Sequence, residues 1–176
     1  TVITPVFVRK DHGHKADFFV ACRAHHAEIG GVAPGSMAPN STCLSQEGVL
    51  IPPMRITRGG IDCSQEVEQL LRTAEWPSRN IEENMADIAA QQAANQYGCE
   101  ALRELAMHYD VALIEQMMEY IQSASRQKTE QWIATLPDQP MRFQDRMDDG
   151  TPISVCITKR LGDDRRWRLQ IDFAGT

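Results

Sequence analysis

An α+β fold is what this sequence predicts. Three observations carry that expectation: β-branched and aromatic runs at both ends, a long Ala-, Gln-, Glu-, Leu- and Met-rich middle with apolar residues at helical spacing, and polar turn clusters that separate the terminal runs. The expected architecture has mostly antiparallel strands in the N- and C-terminal parts around a central long helical hairpin. At 176 residues with 42% hydrophobic content, the chain can bury one core. It reads as a single domain or part of one, with strands and a Gly/Pro-rich loop over 1–62, helices over 63–136 and antiparallel strands over 137–176.

The elements follow in chain order. TVITPVFV and ADFFVACRA, separated by the polar turn RKDHGHK, are a hairpin signal, and His12 and His14 in that turn read as solvated. From Gly30 to Pro53 the chain is dense in Gly, Pro, Ser and Asn, too long for a simple connector and so a candidate functional loop. VLIPPMRIT follows as a short strand, at an edge or irregular because of Pro52 and Pro53. CSQEVEQLLRTAEW predicts an amphipathic helix capped by Ser64 and ended by Pro77. Two longer helices, from Asn80 to about Tyr109 and from Val111 to about Leu136, are expected to pair around Asp110. MRFQDRM, PISVCITKRL and WRLQIDF, joined by DDGTP and GDDRR, predict an antiparallel meander.

Charge and composition narrow the function. A net charge of −6 without any Lys/Arg run argues against a phosphate-tracking surface, because such binding needs clustered cations to displace counterions, so nucleic acid is not an expected partner. Cys22, Cys43, Cys63, Cys99 and Cys156 are odd in number, widely spaced and without a CxxC pair, which suits reduced thiols in a cytoplasmic protein. No apolar run reaches the length of a membrane span and no signal-peptide pattern is seen. The β-rich start at Thr1 and the stop directly after WRLQIDFAGT read as an interior piece of a longer protein.

The chemistry concentrates in RAHHAEIGGVAPGSM, Arg23 to Met37. On a regular strand His25 and His26 point to opposite faces, and only an irregular backbone, which Gly30 and Gly31 permit, lets both serve one ion. Imidazole nitrogen with the Glu28 carboxylate suits Mn, Fe, Zn or, with more oxygens, Mg; hydrogen-bonded loop histidines are the alternative. Asn84, Asp87, Gln91 and Asn95 fall at i, i+3, i+7 and i+11, one amide-rich helix face beside the small Ala90 and Ala94. That face is either part of a site or the solvent face that an amphipathic helix needs. Asp148, Asp149 and Gly150 read as a hairpin turn rather than a cation site, and Cys22 as a core thiol rather than half of a Cys/His pair. GxxxxGK[ST], GxGxxG and GxSxG are absent.

RAHHAEIGGVAPGSMAPNST, EGVLIPP, NMADIAAQQAANQYG, DRMDDGTPI and IDFAGT, in that order, resemble the hydantoinase B/5-oxoprolinase family over essentially the whole chain, and TVITPVFV is most similar to its 5-oxoprolinase branch. The resemblance implies an interior part of an ATP-dependent cyclic amidohydrolase that opens 5-oxo-L-proline to L-glutamate with release of ADP and phosphate, inactive as a piece alone. It implies ATP bound by a hydantoinase A-like portion or subunit outside this sequence, a divalent metal as in the related acetone carboxylases, and an oligomeric assembly. The family's His-His-x-Asp element falls on His25, His26 and Glu28, with Glu where Asp is usual, which makes these three the expected metal ligands. His26, Asp87, Gln91 and Asn95 become the expected catalytic residues. Gly30, Gly31, Gly35 and Ser36 become the expected substrate or phosphate cradle, since consecutive N–H groups of a Gly-rich loop can form an anion nest. A metal on His25 and Glu28 would lower the pKa of an attacking water, and His26 would act as general base or orient the ligands. The alternatives are a hydantoin or N-methylhydantoin amidohydrolase, an acetone carboxylase-like subunit and, in another class, a non-catalytic interaction lobe.

Overall fold

A computed structural model describes residues 1–10, 13 and 15–176 and divides into two compact units, Thr1–Val111 and Ala112–Thr176. His12 and His14, expected to be solvated, lie outside the described residues.

The first unit opens with β1 (Val2–Val6) antiparallel to β2 (Phe18–Cys22), Val2 opposite Cys22 and Val6 opposite Phe18, the hairpin that the sequence predicts. Alternation along the strands buries Val6 and Phe18 and leaves Ile3 and Phe19 exposed. Asp17, whose side chain is fully hidden, ties the ends of the connection together. Its carboxylate accepts from the N–H of Val8 at 2.7 Å, the N–H of Arg9 at 3.0 Å and the Arg9 Nε at 2.5 Å. The Val8 and Arg9 backbone bonds lead, and with the Arg9 side chain they overcome burial and hold this carboxyl at about 2.

The Gly/Pro-rich loop contains a short helix that no periodicity announces, α1 (Leu44–Glu47). The strand expected from VLIPPMRIT does not form: Pro52 and Pro53 supply no N–H for a ladder, and only β3 (Thr57–Arg58) pairs, with β4 (Ile61–Asp62). The segment is held by its side chains instead. Val49 joins Val67, Leu71 and Ile88 in the core, with Ile51, Met54 and Ile56 packed against them. Full burial of one such side chain contributes roughly 1.5–3 kcal/mol, enough for several together to fix an irregular segment. Val67 and Leu71 belong to α2 (Ser64–Thr73), which starts where expected but is not capped by Ser64. Cys63 holds the cap position without a side-chain bond, while Asp62 accepts from the Ser64 N–H at 2.9 Å and the Ser64 hydroxyl at 2.8 Å.

The long helix α3 (Ile81–His108) packs on β1, β2 and α2. Its buried residues are Asn84, Ile88, Gln91, Asn95 and Cys99, so the amide stripe faces inward and the solvent-face alternative is excluded for these amides. Asn95 clamps β1, its Nδ2 donating to the Val2 carbonyl at 3.0 Å and the Thr4 hydroxyl at 3.1 Å.

The chain divides between the two long helices, so α3 and α4 (Val111–Thr135) are described singly. In the second unit β5 (Met141–Arg146), β6 (Pro152–Leu161) and β7 (Trp167–Asp172) form the expected antiparallel meander in the order β5-β6-β7. Asp148, Asp149 and Gly150 make its first turn: Met147 N–H bonds the Thr151 carbonyl at 2.9 Å and the Asp149 carboxylate accepts from Thr151 N–H at 2.9 Å. No described helix is long and apolar enough to cross a membrane.

Lys159 of β6 docks the end of α4 onto this sheet. Its side chain is 5% exposed, and Nζ donates to the carbonyls of Ala134 at 3.1 Å and Leu136 at 2.7 Å and pairs with Asp138 at 2.7 Å. The ammonium also lies 4.7 Å from the centre of the Trp167 ring. A cation suits a helix C-terminus because the last carbonyls lack helical donors and carry the negative end of the dipole. Lys159→Met keeps the apolar stem and removes the donors, so it should lower stability by about 1–3 kcal/mol. Thermal or urea melting measures this directly, and an unchanged midpoint would contradict the docking role.

Candidate functional site

Glu28 sits where the Gly-rich loop meets α3. Its Oε1 accepts from the Ser78 hydroxyl, from the N–H groups of Arg79 and Asn80 at 3.1 Å each, and from Asn84 Nδ2 at 3.3 Å. Its Oε2 accepts from the Gly30 N–H at 2.8 Å and lies 3.8 Å from the Arg79 guanidinium. Asn80 is the N-cap of α3, accepting from Glu83 N–H at 3.3 Å and donating to the Glu83 carboxylate at 2.7 Å. The Glu28 carboxylate thus reinforces the cap from outside the helix, at the positive end of its dipole. Burial opposes its charge, but the bonds from Ser78, Gly30, Asn80 and Arg79 outweigh that and hold the carboxyl at about 2.

This network bears on the expected metal-ligand set. Four donors crowd Oε1 of Glu28 and a fifth, the Gly30 N–H, takes Oε2, so the carboxylate is engaged within the protein. His25 is exposed, whereas His26 turns to α3 and places Nδ1 3.0 Å from Asp87 Oδ2. Among the described residues no group of three His, Cys, Asp or Glu could hold a metal ion. His25, His26 and Glu28 therefore do not fit a divalent ion, and no step below is routed through one.

Two glycines of the expected anion cradle are engaged within the chain. Gly30 and Gly31 are buried at φ of 84° and 91°, a region that other residues occupy only with strain. A Cβ on Gly30 would overlap the Trp76 carbonyl oxygen, and one on Gly31 would lie 2.7 Å from that of Gln46. Their N–H groups bond Glu28 and, at 3.1 Å, the Trp76 carbonyl, so neither is free for a ligand anion. These glycines let the loop pack tightly on its neighbours. Gly35 and Ser36 lie farther along the loop and do not border the cleft described next.

That cleft, of about 1470 Å³, lies within the first unit between β1, residues 51–59 and α3. His26, Arg55, Arg58, Ile88, Gln91 and Arg103 are on its walls. Asp87 and Gln91 are one turn apart on α3, so His26, Asp87 and Gln91, three of the four expected catalytic residues, come together. The fourth, Asn95, is engaged with β1. Gln91 is 4% exposed and its Oε1 has no hydrogen-bond partner among the described residues; Asn95 Oδ1 is likewise bare. An acceptor left unpaired in the interior costs about 1–3 kcal/mol.

Ser78 and Arg79 were not singled out from the sequence, and Asn80 only as the start of the long helix. Their signal was the polar run between Pro77 and the helix, a set of helix-start donors in search of an acceptor.

Comparison with known proteins agrees with the resemblance. The family model described as hydantoinase B/oxoprolinase matches residues 1–176, the whole chain. 5-Oxoprolinase 1 of Arabidopsis thaliana is 32% identical over 198 residues, covering 100% of this chain and 15% of that protein. The 5-oxoprolinase of Dictyostelium discoideum is 34% identical over 165 residues, 90% of this chain and 12% of its own length. That of Saccharomyces cerevisiae is 34% identical over 170 residues, 91% of this chain and 13% of its own. The chain thus spans between 12% and 15% of the length of these relatives. No solved structure matches.

The depressed Glu28 pKa makes a signed prediction. Because the folded value, about 2, lies below the ordinary 4.5, the stabilisation is complete above about 4.5 and is lost as pH falls toward 2. Glu28→Gln should cost about 1–3 kcal/mol at neutral pH and flatten the slope of stability across that window. Urea midpoints across the window check it; a variant with the wild-type slope would exclude Glu28 as the titrating anchor.

Proposed function

Because the chain belongs to the hydantoinase B/oxoprolinase family, we propose that its cleft takes part in opening 5-oxo-L-proline to L-glutamate, coupled to hydrolysis of ATP held by a hydantoinase A-like portion or subunit outside these residues. The His26–Asp87 pair at the cleft is the observation that carries this reading. A carboxylate only accepts, so Nδ1 of His26 bears a proton, and in the neutral ring Nε2 then keeps its lone pair. An imidazole so oriented can take the proton of a water that attacks the lactam carbon once ATP has phosphorylated the lactam carbonyl oxygen and ADP has left. It then returns that proton to the ring nitrogen as the C–N bond breaks, leaving an acyl phosphate that a second water hydrolyses to glutamate and inorganic phosphate. Asp87 fixes the tautomer and stabilises the transient imidazolium.

Other features support the same reading. Arg55 and Arg58 on the cleft wall offer cations to the carboxylate of the substrate. The three relatives compared are each named 5-oxoprolinase. The free cysteines suit a reducing compartment, and the cytoplasm is the location proposed, with assembly into an oligomer. A divalent metal belongs to this reading only with ligands other than the His25, His26 and Glu28 set.

The test is ADP release and glutamate formation by the protein at its full natural length, with and without 5-oxo-L-proline. Wild type should release ADP in response to 5-oxo-L-proline, and His26→Ala should lower kcat by about 10²–10⁴-fold. Asp87→Asn should reduce kcat through the wrong tautomer while leaving binding of the lactam in place. ADP release indifferent to 5-oxo-L-proline would overturn the substrate, and wild-type kcat in both variants would remove the pair from the reaction.

A further inference from the structure

We infer that Gln91 recognises the ring of the substrate, its carboxamide pairing edge to edge with the cis-amide of a small lactam; this deepens, and rests on, the reading of the cleft as a lactam-opening site. Three buried amides share the inner face of α3, and two have protein partners for their donors. Asn84 donates to Ser78 at 2.9 Å and to Glu28 at 3.3 Å, and Asn95 to Val2 and Thr4. Gln91 differs. It is 4% exposed, stands on the cleft wall, and its Oε1 meets no donor among the described residues.

Its surroundings would hold an apolar side chain equally well, with Ile88 and Val67 lining the same cleft. A buried amide oxygen without a partner is therefore a group prepared for something that enters. Nothing else on the inner face of α3 combines burial, an unpaired acceptor and a place on the cleft wall.

The chemistry selects what enters. A carboxamide presents one acceptor and one donor side by side. A five-membered lactam locks its amide cis, so its N–H and C=O also lie on one edge and meet the carboxamide in two antiparallel hydrogen bonds. An open-chain trans amide shows these groups on opposite edges and can make only one. The product of ring opening has lost the edge altogether, its amine and carboxylate being separated, so the same contact favours substrate over product. Placement agrees, because Asp87, which holds His26, is the preceding turn on the same helix face. A ring paired with Gln91 thus lies beside the base.

The test uses the protein at full natural length, with 2-pyrrolidinone and N-methyl-2-pyrrolidinone as competitors in 5-oxo-L-proline-dependent ADP release. Wild type should prefer the N–H lactam by at least about tenfold. Gln91→Met should lose that preference and raise KM for 5-oxo-L-proline by a similar factor while kcat changes less. It should also melt no lower than wild type, which a structural glutamine would not allow. Should the Met variant not fold, Gln91→Glu, which cannot donate, is read in the same way. A variant that keeps the N–H preference and the wild-type KM overturns the inference. If wild type does not turn over 5-oxo-L-proline, the lactam-opening reading fails on its own, and direct calorimetric binding of the two pyrrolidinones still decides Gln91. A wild-type preference lost in the variant upholds its role, and its absence in wild type or its persistence in the variant ends it.

Discussion

The carboxylate of Glu28 at the N-terminus of α3 is the contact on which the site depends. It joins three pieces of chain at one point: the loop that carries His26, the Ser78–Asn80 approach to the helix, and Asn84 inside the helix. It satisfies helix-start donors of Arg79 and Asn80 that the helix itself cannot, and its charge meets the positive end of a 28-residue helix. With the loop fixed at Glu28, His26 two positions earlier is delivered to Asp87 on the next turn of the same helix. Gly30 and Gly31 serve the same end from the other side, since only residues without a Cβ fit against Trp76 and Gln46.

The inner face of α3 shows how polar groups are managed in a small core. Ile88 supplies apolar contact to α2 and the 49–56 segment, while Asn84 and Asn95 serve as fasteners, one for the loop network and one for β1. A helix whose inward face is half amide shows weak amphipathic contrast, yet every one of those amides has a place except the Oε1 of Gln91 and Oδ1 of Asn95. Gln91 is the one of these two that faces the cleft. Structure and chemistry are therefore continuous here: the residues that hold the helix in place are neighbours of those offered to a ligand.

What the sequence disclosed and what it hid divide by range. The β1–β2 hairpin, α2, α3, α4 and the β5–β6–β7 meander were legible because periodicity and turn residues act over a few positions, and the resemblance to the hydantoinase B/5-oxoprolinase family was legible because its motifs are contiguous. The segment over 49–57 misled because β-branched residues signal burial as well as strands, and Pro52 and Pro53 decided against the ladder. Ser64 misled because Asp62, two positions earlier, claimed its hydroxyl and its N–H. His26 and Asp87 were each picked out, but not as a pair, since only the fold brings the loop to the helix. Glu28 was read as a ligand because a carboxylate beside two histidines suits a cation; most of its partners, Ser78 to Asn84, lie far along the chain and leave no local trace.

The central claim is that anchoring at Glu28 sets His26 against Asp87. Nitrogen-15 NMR of the His26 ring, recorded for wild type and for Glu28→Gln above the pH range where imidazole is protonated, tests it most directly. The account predicts a single Nδ1-protonated tautomer in wild type and a mixture of tautomers in the variant, as the released loop lets the ring leave Asp87. A ring that keeps the same single tautomer in the variant would contradict it.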